Sequence, residues 1–487
     1  MSSEANSDVT VTLELSQRQR VGVLLICCLS LLIVGVDINI VNVALPSIGR
    51  QLHAPLSGLQ WTIDGYTLVL ASLLIFSGST ADRLGRRRTF VAGVLIFSAG
   101  SLLCSLSPNL TALVIFRMVQ GVGGSMMTPV VLSILNHTFP DRKERARAIG
   151  IWAAMFGISM ALGPVLGGVL VSSIGWRSIF WVNVPIGLAT AFLAHRYVPE
   201  SRAEVARKFD GPGQALVITM LATLTYGIIE APKRGLSSGL IVASFALAAA
   251  ALASFLVWER RSDDPLIDPR FFHSVPFASA TVMALFAVST LGGFLFVNTI
   301  YLQDVRKLSP LHAGLDILPL AIAIVISAPI CGQVLSRRGS RIPLVLAGSA
   351  LAVSCLMLTH LSDTTPFSWL FVAYAIFGVG IGFNSTPMTS VALSGMPRDQ
   401  SGAAAGIVTT ARQVGTTLGV AVVGSLISSR LSGSVRFASA SHLGWYVMAG
   451  CGVLTIVLGF VATSQWARST ARRTALLLNP EYFEGRT

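Results

Sequence analysis

Read as a string of apolar and polar positions, the chain is a succession of long apolar runs joined by short polar connectors. Fourteen runs stand out, at 21–45, 56–79, 89–107, 110–136, 147–173, 178–197, 212–230, 239–258, 275–303, 311–335, 342–361, 366–394, 402–428 and 443–466. A bilayer core of about 30 Å takes roughly 20 residues at about 1.5 Å of rise each, which is the length of these runs. Backbone groups in hydrocarbon must be satisfied within their own segment, so the runs predict helices. The two-residue alternation of a membrane barrel is missing. The expected fold is an all-α polytopic membrane protein with 14 transmembrane helices. The first run continues past residue 40, too long for the apolar core of a cleaved leader. No small-residue cleavage site follows it, so it is expected to remain as the first helix.

Composition agrees with lipid as the main solvent. Hydrophobic residues make up 53% of the chain and charged residues only 12%, about half the usual share. The net charge of +13 lies in the connectors, and its distribution is lopsided. With the N-terminus inside, 25 Lys and Arg fall in the inner connectors and tails and 8 in the outer connectors. That bias predicts cytoplasmic termini in a bacterial inner membrane, and it accounts for the charge without nucleic acid as a partner. The six cysteines sit in apolar runs without metal spacing, as small core residues do. No two histidines within a run have ligand spacing, and no Gly-rich phosphate loop precedes a Lys. No metal, cofactor or enzymatic activity is expected, and ATP is not the expected drive.

The chain repeats itself. GVGGSMMTP at 121–129 matches GVGIGFNSTP at 378–387, and Gly150, Gly163 and Gly168 each meet a glycine 256 residues later, at Gly406, Gly419 and Gly424. GSTADRLGRRR at 78–88 has a worn counterpart in GQVLSRRGSR at 332–341. This predicts an N-terminal six-helix bundle over 21–197 and a C-terminal six-helix bundle over 275–466. A linker at 198–274 carries two inserted helices, and 1–20 and 467–487 form cytoplasmic tails.

The sequence resembles the major facilitator superfamily, and within it the fourteen-helix drug:proton antiporters of the QacA/EmrB type. GSTADRLGRRR fits that family's signature between helices 2 and 3, and GISMALGPVLGG at 157–168 resembles its antiporter motif in helix 5. VDINIVNVALPSI at 36–48 is similar to the first-helix motif, and FRMVQGVGGSMM at 116–127 to the helix-4 motif whose arginine is linked to proton coupling. In the worn second copy of the loop, Ser336 stands where the acidic residue falls in the first. The second half also lacks the deep helical carboxylate that some polyspecific cation exporters use. The resemblance implies two bundles rocking around a central path. Gly78, Asp82, Arg83, Gly85, Arg86 and Arg87 would latch one orientation, with Gly157, Gly163, Pro164, Gly167 and Gly168 forming the gate. The residues themselves allow plainer readings, since basic groups anchor a loop and glycines pack any membrane helix.

Charges inside the membrane are costly and mark pathways or partners. Asp37, Asp64 and Arg117 fall at similar depth in helices 1, 2 and 4, which predicts one buried cluster able to share a proton. Asp316 lies near a helix end, where capping is the simpler role. Arg412, beside Gln413, needs an acceptor from protein or substrate. Trp61, Tyr66, Phe294, Asn298, Phe383 and Asn384 are candidate cavity residues, suited to flat or cationic ligands. The expected function is proton-coupled efflux of drugs or other amphipathic, cationic or aromatic small molecules by alternating access, with the chain working as a monomer. An exporter for a single metabolite or antibiotic, a lipid-handling protein and an importer are the alternatives.

Overall fold

The computed structural model describes residues 16–202, 210–262, 265–397, 400–431 and 435–478. Residues 1–15 and 479–487 of the tails, and 203–209 and 263–264 of the 198–274 linker, therefore lie outside the described residues. Among the described residues, fourteen helices long and apolar enough to cross a membrane follow one another. They are α1 (Gln17–Leu52), α2 (Leu56–Leu84), α3 (Arg86–Ser105), α4 (Leu110–Thr138), α5 (Lys143–Ser173), α6 (Ser178–Tyr197) and α7 (Gly211–Arg234). The series continues with α8 (Gly239–Glu259), α9 (Val275–Val305), α10 (Pro310–Arg338), α11 (Arg341–Leu358), α12 (Phe367–Ala392), α13 (Ser401–Leu431) and α14 (Phe437–Ala462). No strand occurs among the described residues. The chain is a polytopic helical membrane protein, and its outward faces carry Leu102, Ile115, Phe192, Leu247, Ile326 and Val372 exposed to the surrounding medium.

Polar side chains start several of these helices. Ser16 and Gln19 form a capping box at α1, and Asn109 and Asp141 accept from the first free amides of α4 and α5. Three spans are interrupted in ways the apolar pattern hides. A turn at Val182 splits α6, α9 ends in a π-helical turn over Tyr301–Val305, and α10 breaks between Asp316 and Leu318. The stretch after α14 is not a plain tail. It forms α15 (Gln465–Leu478), which buries Ala467, Ala471, Thr474 and Ala475 and accepts the Val275 amide on Thr470.

Helix pairings recur with a shift of eight. α1 packs on α5 as α9 packs on α13, α2 on α4 as α10 on α12, and α3 on α4 as α11 on α12. α7 and α8 pack on each other, and α7 also touches α2 and α13. Because the helices alternate in direction, one end of the molecule collects the Arg-rich connectors and is called the basic end here. The opposite end is the far end.

Glycines show how the two ends differ. A Cβ on Gly163 would come 2.6 Å from Asn39 Cβ, and one on Gly168 2.6 Å from Leu311 Cα, so α5 lies tight against α1 and α10. Gly419 sits against the Ser289 backbone, and a Cβ on Gly424 would meet the Gln60 side chain at 2.5 Å. Nearer the basic end, Gly150, Gly332, Gly402 and Gly406 have nothing within 4 Å.

Candidate functional site

Asp37 and Arg117 form a closed ion pair. Both are buried, and Arg117 Nη1 donates to Asp37 Oδ2 at 2.6 Å. Gln120 and Asn183 each donate to Asp37 Oδ1 at 2.8 Å, and Gln120 also donates to Ser101 Oγ at 2.7 Å. Arg117 Nε donates to the Thr62 carbonyl at 3.2 Å, and its guanidinium lies 4.3 Å over the Tyr66 ring. A buried charge pair is tolerated when its remaining lone pairs and protons are matched, and here they are. Gln120, Ser101 and Asn183 complete the site and were not expected from the sequence. Gln120 shares a helix face with Arg117 three residues away, a readable signal. Asn183 follows the turn at Val182, and no periodicity shows that turn.

Asp64 does not join this cluster, which corrects the expectation of a three-residue site. It lies two residues, about 200° of helix, from both Thr62 and Tyr66, so α2 turns it away from Arg117. It shares a face with Gln60 and Thr67, and that face meets α13. Gln60 Nε2 donates to the Val420 and Ala421 carbonyls at 3.2 and 3.0 Å, and Thr417 Oγ1 donates to Thr67 Oγ1 at 2.9 Å. Asp64 is fully buried in this seam, and neither of its carboxyl oxygens has a hydrogen-bond partner.

The far end is fastened by further bonds between the first six and last six helices. Arg50 pairs with Asp304 at 3.0 Å, Gln303 Nε2 donates to the Val43 carbonyl at 2.8 Å, and Gly314 rests on the Pro164 carbonyl. At the basic end a cleft of about 450 Å³ opens between α2, α4 and α13, lined by Gly78, Asp82, Thr128, Asn136, Gly406 and Thr409 among others.

Beside that cleft Asp82 pairs with Arg86 at 3.3 Å. Gly85 adopts φ +111°, a conformation open to glycine, and its missing Cβ makes room for Glu200. Glu200 Oε1 accepts the Arg87 amide at 3.1 Å, and its other oxygen lies 3.7 Å from both Arg87 Nε and Arg88 Nε. Glu200 was missed in the sequence, although it is an acidic residue beside an Arg-rich connector. All these partners belong to the first six helices and the segment after them. A Cβ on Gly157, by contrast, would lie 3.7 Å from Val325 Cγ2 of α10.

The candidate cavity residues are not gathered in one place. Trp61 Nε1 donates to Glu230 Oε1 of α7 at 3.1 Å, and Tyr66 is buried beneath Arg117. Phe294 is enclosed by Tyr374, Phe377 and Trp445, and Asn298 Oδ1 accepts from the Tyr374 hydroxyl at 2.6 Å. These four are core or helix-binding residues in this conformation. Phe383 and Asn384 are buried on α12, the Asn384 carbonyl oxygen without a partner. Arg412 and Gln413 are part-exposed, one turn deeper along α13 than Thr409 of the cleft. Asp316 lies at the break in α10, and no group of acidic, His and Cys residues able to hold a metal occurs among the described residues.

Two shifted sets of packed helices, a buried ion pair and a cleft closed at one end are the parts of a transporter. Comparison with known proteins agrees. A family model for the Major Facilitator Superfamily matches residues 27–420. The chain is 38% identical over 408 residues to the multidrug resistance protein Stp of Mycobacterium tuberculosis, covering 84% of this chain and 76% of that one. It is 38% identical over 410 residues to the tetracenomycin C resistance and export protein of Streptomyces glaucescens, with coverage of 84% and 76%. In fold it is similar to a bacterial homologue of the human lysosomal transporter Spinster, solved in an inward-facing, occupied conformation. The TM-score is 0.64 at 17% identity, over 94% of this chain and 98% of that one. With the family model spanning most of its length, the chain belongs to the major facilitator superfamily.

Proposed function

We propose that the protein is a proton-coupled exporter of amphipathic, aromatic small molecules, drugs among them, working by alternating access as a monomer in a bacterial plasma membrane. It moves its cargo unchanged and is no enzyme. The positive-inside bias makes the basic end cytoplasmic, so the conformation described is open to the cytoplasm and closed outside. The six-helix bundles of 21–197 and 275–466 rock against each other, with α7 and α8 inserted between them. Relatives named for multidrug resistance and for export support this direction of transport.

The observation that carries the coupling is Asp64. A carboxyl without a donor, in the seam between helices that must part, binds a proton as they close, because its ionised form would be an uncompensated buried charge. Opening the seam to the outside exposes the group to water and to a fresh proton, and cargo entering the cleft from the cytoplasm displaces that proton inward, which completes the exchange. The Asp37–Arg117 pair lies on the other side of α2 and senses the same movement through Thr62 and Tyr66. The Asp82–Arg86 pair and the glycine face of α5 set which end opens. Substrate-driven proton release from proteoliposomes tests this. Asp64→Asn and Asp37→Asn are expected to lose coupling by about tenfold or more. Full coupled transport in both variants would refute the assignment.

A further inference from the structure

Two arginines that lie within the spans, Arg117 and Arg412, are held in different ways. Arg117 is matched on every side by Asp37, Gln120, the Thr62 carbonyl and the Tyr66 ring. Arg412 makes a single hydrogen bond, Nη2 to Ser385 Oγ of α12 at 2.5 Å, and no carboxylate of the described residues pairs with it. A guanidinium has five N–H donors, so most of those on Arg412 lack an acceptor among the described residues. The Arg412 side chain is part-exposed, so these donors reach open space, one turn beyond the last residue of this helix that lines the cleft. Gly402, Gly406 and Thr409 line it from α13 at spacings of four and three, and the next positions on that face are Arg412 and Gln413. The two carboxylates at the cleft's mouth are already engaged. Asp82 is held by Arg86, while Asp210 accepts from Trp258 Nε1 at 2.7 Å and caps the first amides of α7. Around the mouth lie the Arg-rich connectors, whose field draws in anions.

Resting on the export reading, we propose that the cargo carries an acidic oxygen group, a carboxylate, enolate or phenolate on a planar apolar body, and that Arg412 with Gln413 binds it at the head of the cleft. Leu74, Ile75, Pro129 and Leu132 offer the apolar walls. This narrows the expected cargo from cationic or aromatic to anionic. It also changes the energetics. An anion moving out and a proton moving in carry two positive charges inward together, whereas a monovalent cation exchanged for a proton carries none. Each charge crossing 100 mV is worth about 50-fold in the gradient attained. The membrane potential alone then drives export.

The test uses the full-length chain and two dyes of similar size, anionic fluorescein and cationic ethidium. In detergent, fluorescence polarisation gives the Kd of each dye for the native chain, Arg412→Lys and Arg412→Gln. Fluorescein is expected to bind at least about tenfold more weakly to R412Q, with R412K between and ethidium not weakened. In proteoliposomes at equal pH on both sides, a clamped potential is expected to accelerate fluorescein transport. Equal fluorescein binding by native chain and R412Q overturns the proposal. So does an equal loss in R412K and R412Q together with a lowered melting temperature, which would make the arginine structural. Proton-coupled ethidium transport without fluorescein transport overturns the anionic cargo and leaves export standing. If neither dye binds or moves, the proposal falls together with the export reading.

Discussion

The far and basic ends of the same helices have the same small-residue chemistry and opposite packing. At the far end Gly163 and Gly168 of α5, and Gly419 and Gly424 of α13, press against neighbours. Toward the basic end Gly150 and Gly406, on the same two helices, face empty space. Small residues therefore permit closure without choosing the end that closes. The choice lies with polar fastenings. Gln60, Thr67, Arg50 and Gln303 bridge the first and last six helices at the far end. At the basic end Asp82 pairs with Arg86, and Glu200 with Arg87, all within one set. Switching requires the first group of bonds to break, and the glycines of the parted end then have somewhere to go.

Three sets of substitutions sharpen this comparison. The largest effect is expected at the ion pair that the closed side surrounds. Arg117→Ala leaves Asp37 buried and unpaired and should cost about 3–5 kcal/mol in thermal or denaturant unfolding, with Asp37→Asn in the same chain recovering part of the loss. Arg412→Ala, which strands no buried carboxylate, should cost far less. If the two arginine variants unfold alike, their contrast does not hold. Next, Gly168→Ala forces a Cβ toward the Leu311 backbone and should shift the balance toward the far-open state by about 1–3 kcal/mol, while Gly150→Ala should push the other way. Spin-label distances across each end read both shifts, and identical shifts would break the argument. Arg50→Gln should have the smallest effect. Its pair with Asp304 is solvent-exposed, with 60% and 41% of the two side chains accessible. Pairs of that kind contribute about 0–1 kcal/mol and fade with added salt, so far-end opening should rise by fivefold or less.

The spans were legible because hydrocarbon demands a run of apolar residues of fixed length, and nothing else in the chain imitates it. Their breaks were not. Pro185 follows Val182 and Pro319 follows Ile317, each near the start of a new helical stretch, and Gln303 and Asp304 follow Tyr301; a reading by mean hydropathy passes over such single residues. Pairing of Asp37 with Arg117 followed from the cost of leaving either charge alone. The place of Asp64 did not follow, because matched depth says nothing about azimuth. Two residues along a helix reverse the face, and the Gln60, Asp64, Thr67 spacing held that information unread. Phe294 and Asn298 were expected in a cavity on residue type alone, yet an aromatic ring encloses a neighbour as readily as a ligand. Glu200 and α15 were missed because their partners lie far along the chain, which no local pattern records.

On the alternating-access proposal, the bare backbone at Gly150 and Gly406 amounts to a pair of open notches into which neighbouring helices would settle when the basic end closes. Any compact molecule lodged in one of them would act as a doorstop. It need not resemble the cargo or touch a charged group, since occupying the few ångströms left by a missing side chain would be enough to hold the basic end open.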